Sequence, residues 1–293
     1  MAALQDRLRR LSSGMVPSLL LAVASLAAPV APAVDLTSQF AFRPERVPVG
    51  EVFHFRKSNV DGTRPVLVSV RAPAPDRLDV LKVEDVGRHL ARVTARMDWK
   101  SFSAVELQSW NRLETGEPAR QAEFRLDPDA ARVEVRVAGE LGGVTASALP
   151  VHLYNFDFLS LAVAWPHLAR PDAPVRIAVV DPNFARDGDR DALLLDKGIA
   201  TFTPEAEEAR GGVPCRRYAV AGPAFQGRVG TLWADARTGQ WVEFRHPVPD
   251  NPDWTSFRLE LVGWERMTDA DWDAFVQGRV RRAAELLRDF GDD

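Results

Sequence analysis

Hydrophobic and polar positions alternate along most of this chain from about Val47 onward. In ARVEVRVA (131–138), Val133, Val135 and Val137 share one parity, and Arg132, Glu134 and Arg136 share the other. ARVTARMDW (91–99) repeats the pattern, with Val93, Ala95, Met97 and Trp99 set against Arg92, Thr94, Arg96 and Asp98. A period of two with one apolar parity is a strand with a dry face and a wet face, the habit of antiparallel sheets. The same rule, less cleanly obeyed, predicts strands at 49–57, 65–71, 78–84, 102–113, 120–126 and 144–151, and again at 174–180, 193–203, 214–221, 227–234, 239–246 and 254–266. Turn-forming stretches separate them, among them NVDGTR, APAPDR, ETGEPA, ARTG and PDNPD. Strands that follow one another through short turns make a meander.

Two stretches depart from this pattern. LYNFDFLSLAVAW (153–165) is dense in aromatic and aliphatic residues and carries a single charge, Asp157. It predicts a helix at about 155–166, with Asn155 and Asp157 at its polar start and Pro166 ending it, because proline lacks a backbone donor and clashes with the preceding turn. Asp157 then either bonds free amides at the helix start or lies buried and requires a partner. The C-terminal stretch has Thr268 as N-cap, Asp271 three residues on, and Trp272, Phe275, Val276, Val280, Ala283, Leu286, Leu287 and Phe290 at helical spacing. An amphipathic helix of this kind packs on a protein body more often than on a membrane surface.

A sheet with one dry face needs cover, and only two helices are available to supply it. The expected fold is therefore mainly β: a strongly curved antiparallel β-meander, a half-open barrel, gripping the 155–168 helix in its concavity. The alternative is a two-sheet β-sandwich. The open question is whether the helix fills the concavity or leaves room beside it.

Composition narrows the functional classes. The 293 residues are 46% hydrophobic and 27% charged, with a formal charge of −4, the balance of an ordinary globular protein. Such a balance lacks the basic stripe that nucleic-acid binding requires. At the N-terminus, Arg7, Arg9 and Arg10 precede an uncharged run whose apolar heart is MVPSLLLAVASLAA, followed by APA at 31–33. This is the plan of a secretory signal peptide, expected over residues 1–33, with a linker at 34–46 and a single β-rich domain over 47–290. Pro29 and Pro32 cut the apolar run short, so no stable membrane span is expected after cleavage. Cys215 is the only cysteine, which excludes an internal disulfide, and its place in a strand pattern makes it an inert thiol.

Several segments then carry a resemblance. HLYNFDFLSLAVAW, VVDPNF, GGVPCRRYAVAG, GTLWADARTGQWVEF and HPVPDNPDW, in that order behind an export signal, resemble an uncharacterised family of exported bacterial β-meander proteins, over about residues 100 to 265. The arrangement is also similar, at the level of the fold, to the outer-membrane lipoprotein carrier, an unclosed barrel with helices inside. The resemblance implies an envelope location and a hydrophobic cavity, and it implies no chemistry.

Catalytic constellations are missing from the sequence. It has no G-x-S-x-G, no H-E-x-x-H and no Cys/His cluster, and its five histidines stand singly. The acidic run DPNFARDGDRDALLLD (181–196) lacks the glycine and glutamate that a calcium loop needs. What remains are aromatics. Tyr154, Phe158, Trp165, Trp110 and Trp233 are the candidate ligand-binding residues, although core packing is the plainer account of each tryptophan. The sequence thus reads as a non-enzymatic exported protein, periplasmic or extracellular. It is expected to bind or carry an apolar or amphipathic, lipid-like ligand in the concave face, with no cofactor and no metal. The alternative is a secreted carbohydrate-active enzyme or sugar-binding module.

Overall fold

Strand after strand pairs with its sequence neighbour in the computed structural model, which describes residues 32–84, 87–183 and 192–290. All but the last two residues of the predicted signal peptide lie outside the described residues, as do Asp187, Asp189 and Asp191 of the acidic run. Fifteen strands form one sheet. Its first arm runs β2 (Glu51–Ser58), β3 (Val66–Ala74), β4 (Arg77–Glu84), β5 (His89–Asp98), β6 (Ser103–Asn111), β7 (Ala119–Asp127), β8 (Arg132–Val137) and β9 (Glu140–Thr145). Its second arm runs from β11 (Val151–Leu153) through β12 (Val175–Pro182), β13 (Leu194–Arg210), β14 (Val213–Ala221), β15 (Gly230–Asp235) and β16 (Trp241–His246) to β17 (Phe257–Arg266). β17 pairs with β2 and joins the two arms. A separate short pair, β1 (Val34–Asp35) with β10 (Ala148–Leu149), is parallel.

The curved meander is therefore present and the sandwich is not. The two sheet edges, β9 and β11, do not pair with each other, and the sheet curls until β9 nears β13 and β11 nears β6. Gly142 of β9 lies so close to Leu193, just before β13, that a Cβ there would come within 2.9 Å of the leucine side chain. Val151 at the other edge donates its N–H to the Ser103 hydroxyl at 2.9 Å. Three details differ from the sequence pattern. β11 and β12 pair in parallel, making the sheet mixed. The expected 144–151 strand is divided among β9, β10 and β11. β13 runs on to Arg210, past a bulge at Pro204–Glu207; its tail PEAEEAR is wet on both faces, so no apolar parity announced it.

Alternation decides which residues face inward. On β2, Phe53 and Phe55 turn to the main core while Val52 turns outward, and on β4, Leu78 and Val80 turn inward while Leu81 turns outward. The outward patch is covered by α2 (Asp269–Phe290), whose Trp272, Val276 and Ala283 pack on Val52, Leu81 and Leu90. The Thr268 and Asp271 side chains cap this helix reciprocally: Asp271 N–H donates to Thr268 Oγ1 at 3.2 Å and Thr268 N–H to Asp271 Oδ2 at 3.1 Å. Trp272 Nε1 donates to Asp79 at 2.8 Å, and Arg92 grips the same carboxylate, fixing the helix against β4 and β5. The rest of the outer face is wet. There Glu243 accepts from Arg210, Arg245 and Arg258, which hold its carboxyl below the usual range despite burial.

Candidate functional site

The concavity holds the segment singled out in the sequence. Its helix, α1, is shorter than the pattern predicts: it spans Leu159–Ala164 and continues as a 3-10 turn over Trp165–His167. Asp157 and Phe158 adopt left-handed backbone, with φ of 56° and 54°, so the chain enters α1 through a turn and no side chain caps it. Six residues are too few for a helix to persist on its own. Packing holds it: every α1 residue is buried. Around it, Trp165 lies 5.0 Å from Phe202, 5.1 Å from Tyr218 and 5.9 Å from Trp241, ring centre to ring centre. The plug is tight along its length, and the two ends of the trough differ.

At the entry to α1 the core contains charges. Each Asp157 oxygen lies 2.8 Å from an ammonium, Oδ1 from Lys57 and Oδ2 from Lys82. Lys57 also donates to Asp250 at 2.6 Å and sits over the rings of Trp254 and Phe257. Asp181 accepts the Asn155 N–H at 2.9 Å and meets Lys197 at 3.3 Å. The Tyr154 hydroxyl donates to the Val248 carbonyl at 2.6 Å. Burial penalises the Asp157 charge, but the two lysines outweigh it and hold the carboxyl at about 2. Burial wins at the other acids, pushing Asp181 up to about 7 against Lys197 and Asp250 up to about 6 against Lys57. Lys57, desolvated but flanked by Asp157 and Asp250, is raised above its ordinary value. Every acid here meets an ammonium in a closed space, so the cluster is a lock on the turn before α1 and offers no open pair of carboxylates.

The opposite end is open. A cleft of about 620 Å³ lies beyond the last turn of α1. Its apolar lining comes from Val163 and Pro166 at the helix end, Phe53 on β2, Val242 on β16, and Leu261 and Trp264 on β17. A β-bulge between Leu261 and Gly263 puts Trp264 opposite Phe53, on the inner side of the sheet, where it remains 64% exposed. Across the cleft the β15–β16 turn closes on the helix end. Gly239 there has φ of 80°, and a Cβ would stand 3.0 Å from the Pro166 Cα, so both conformation and close approach favour glycine.

The five aromatics read from the sequence separate into two groups. Tyr154, Phe158 and Trp165 come together around the plug, each at most 1% exposed. Trp110 and Trp233 lie on the outer face: Trp110 beneath Arg120, and Trp233 between Arg210 and Arg245 with its Nε1 donating to Glu208. None of the five lines the cleft. Sequence reasoning missed Lys57 and Lys82, although a signal was present. Both carry the inward parity, after Phe53 and Phe55 on β2 and after Leu78 and Val80 on β4. It also missed Trp264, because strict alternation from Leu259 and Leu261 assigns position 264 to the outer face, and only the bulge turns it inward. Cys215 is buried, with its thiol pushed up by desolvation, as an inert core residue would be.

No described helix is long and apolar enough to cross a membrane. No protein-family model matches the chain, and no curated protein matches it. Among solved structures, the chain is similar to a domain described as an outer membrane lipoprotein-sorting protein from Vibrio parahaemolyticus, at 10% identity over 79% of this chain and 91% of that one, with a TM-score of 0.19. A likeness that distant does not bear on the cleft.

Proposed function

We propose that this protein is an exported, non-enzymatic component of the bacterial envelope that binds an apolar or amphipathic ligand in the cleft at the end of α1. The observation that carries this reading is Trp264: a large apolar side chain held 64% exposed against Phe53, Leu261 and Val163, beside a core that is otherwise closely filled. The volume, about 620 Å³, falls within the range of small-molecule sites, which are largely apolar with a few polar groups at the rim. The sequence of the leader supports export. Tyr154, Phe158 and Trp165 contribute in this reading by fixing the plug whose end forms one wall.

Each methylene buried contributes about 0.8 kcal/mol, so affinity should climb with tail length as amphiphiles of about six and about twelve carbons are compared. Binding read by native mass spectrometry, and by the part of the tryptophan fluorescence change that Trp264→Phe removes, checks this. Leu261→Arg places a charge in the apolar wall and should lower affinity for the longer amphiphile by about tenfold or more, measured well below the thermal midpoint of the variant. A wild-type protein indifferent to tail length, or a Leu261→Arg variant that binds as well as wild type, would refute the reading.

A further inference from the structure

The cleft has a charged side chamber. A recess of about 100 Å³ adjoins it and shares with it Arg46, Pro166, Asp235 and Arg237. Arg43 and Arg216 complete its basic lining, so four arginine residues line a space of roughly three water molecules. The one carboxylate in the lining is Asp235, and it is already engaged: its Oδ1 accepts the backbone N–H groups of Arg237 at 2.8 Å and Thr238 at 2.7 Å. Arg216 reaches outward to Glu207 at 3.3 Å, and Arg46 donates to the Thr238 carbonyl at 2.9 Å. Neither the Arg43 nor the Arg237 side chain is paired with a carboxylate among the described residues. Glu45 and Glu51 line the outer cleft and not the recess, and Glu51 meets Arg266 at 3.5 Å.

The positive field of this group reaches its neighbour. His167, buried beside the recess, accepts the Arg43 N–H on Nδ1 at 3.1 Å. Burial first, and then the Arg43 and Arg46 cations, bring its pKa down to about 4. A basic recess opening on a cleft with one apolar wall is complementary to an apolar tail ending in a compact anion.

We infer that the ligand of the cleft is an anionic amphiphile, whose carboxylate or phosphate head enters the recess among Arg43, Arg46, Arg216 and Arg237 while its tail lies along Phe53, Leu261 and Trp264. This inference rests on the cleft being a ligand site, and it adds the charge and size of the head group. Guanidinium groups suit such heads because they present paired donors to carboxylate and phosphate oxygens.

The test compares dodecyl phosphate, dodecyl maltoside and inorganic phosphate by isothermal titration on the full chain. Dodecyl phosphate should bind about tenfold or more tightly than the uncharged maltoside, the fold-change of one charge-assisted hydrogen bond, and its affinity should fall as salt is raised. Arg43→Gln combined with Arg237→Gln should bring the two detergents to within about twofold of each other, with thermal midpoint unchanged. Equal binding of both detergents to wild type would overturn the anionic head while leaving the cleft reading intact. Binding of neither would overturn the cleft reading itself. Inorganic phosphate binding as tightly as dodecyl phosphate would mark a free-anion site and overturn the amphiphile. If the double variant unfolds, the salt dependence and the detergent preference of the wild type still decide the matter.

Discussion

Asp157→Ala will lower the stability of this protein by about 3–5 kcal/mol, the usual cost of removing one partner from a buried ion pair. The carboxylate is fully buried and stands between two ammoniums at 2.8 Å. Without it Lys57 keeps Asp250 at 2.6 Å, whereas Lys82 keeps the Asn155 carbonyl at 3.4 Å and a longer-range attraction to Asp250. Lys82 must then deprotonate, recruit water or leave the interior, and each course costs free energy. Urea unfolding followed by tryptophan fluorescence measures the loss. A second variant separates charge from packing: Lys82→Met combined with Asp157→Ala removes the stranded cation and should recover a substantial part of the loss, whereas Lys82→Met alone should not stabilise the parent. A single-variant cost below about 1 kcal/mol would show that the cluster does not lock the turn before α1.

That cluster also marks where the sequence could and could not be read. Alternation located nearly every strand, because side-chain parity and burial are the same fact in a sheet with one dry face. Val133 and Val135 are buried and Arg132 and Glu134 exposed, as their parity demands. The capping pair Thr268 and Asp271 was equally legible, since it depends only on residues three apart. The site was not. Lys57 and Asp157 are brought together across 100 positions by sheet curvature, which no local pattern encodes. Of the two readings open for Asp157, the buried one that requires a partner holds, and left-handed backbone at 157 and 158 delays the helix to Leu159. The cleft depends on a single bulge in β17 and on where a six-residue helix stops, both below the resolution of a periodicity argument.

Stability should be nearly flat above about pH 7 and fall by ~1 kcal/mol per pH unit from about pH 6 to about pH 4, driven by three buried histidines. His246 Nδ1 accepts the Val248 N–H at 3.0 Å and His167 Nδ1 accepts that of Arg43, so both rings are held neutral by an acceptor role that protonation would abolish. His152 is closed in against Ser160. Burial brings His152 down to about 3, and burial is the largest cause that takes His167 and His246 to about 4. An unfolded histidine binds its proton near pH 6.5, so below that the unfolded chain holds protons the native state refuses, and stability drains away as the pH falls. Asp181 and Asp250 act in the opposite sense. Raised by burial to about 7 and about 6, they take up protons in the native state before the unfolded chain does, which favours folding as the pH falls. Three depressed histidines outweigh two raised acids, and Asp157, held at about 2, joins the destabilising side only below about pH 4. Urea midpoints measured across this range check the profile, and two variants assign it. His152→Gln should flatten the decline, because one refused proton is gone. Asp181→Asn should steepen it, because a compensating uptake is gone. A decline unchanged in both variants would place its origin outside the trough.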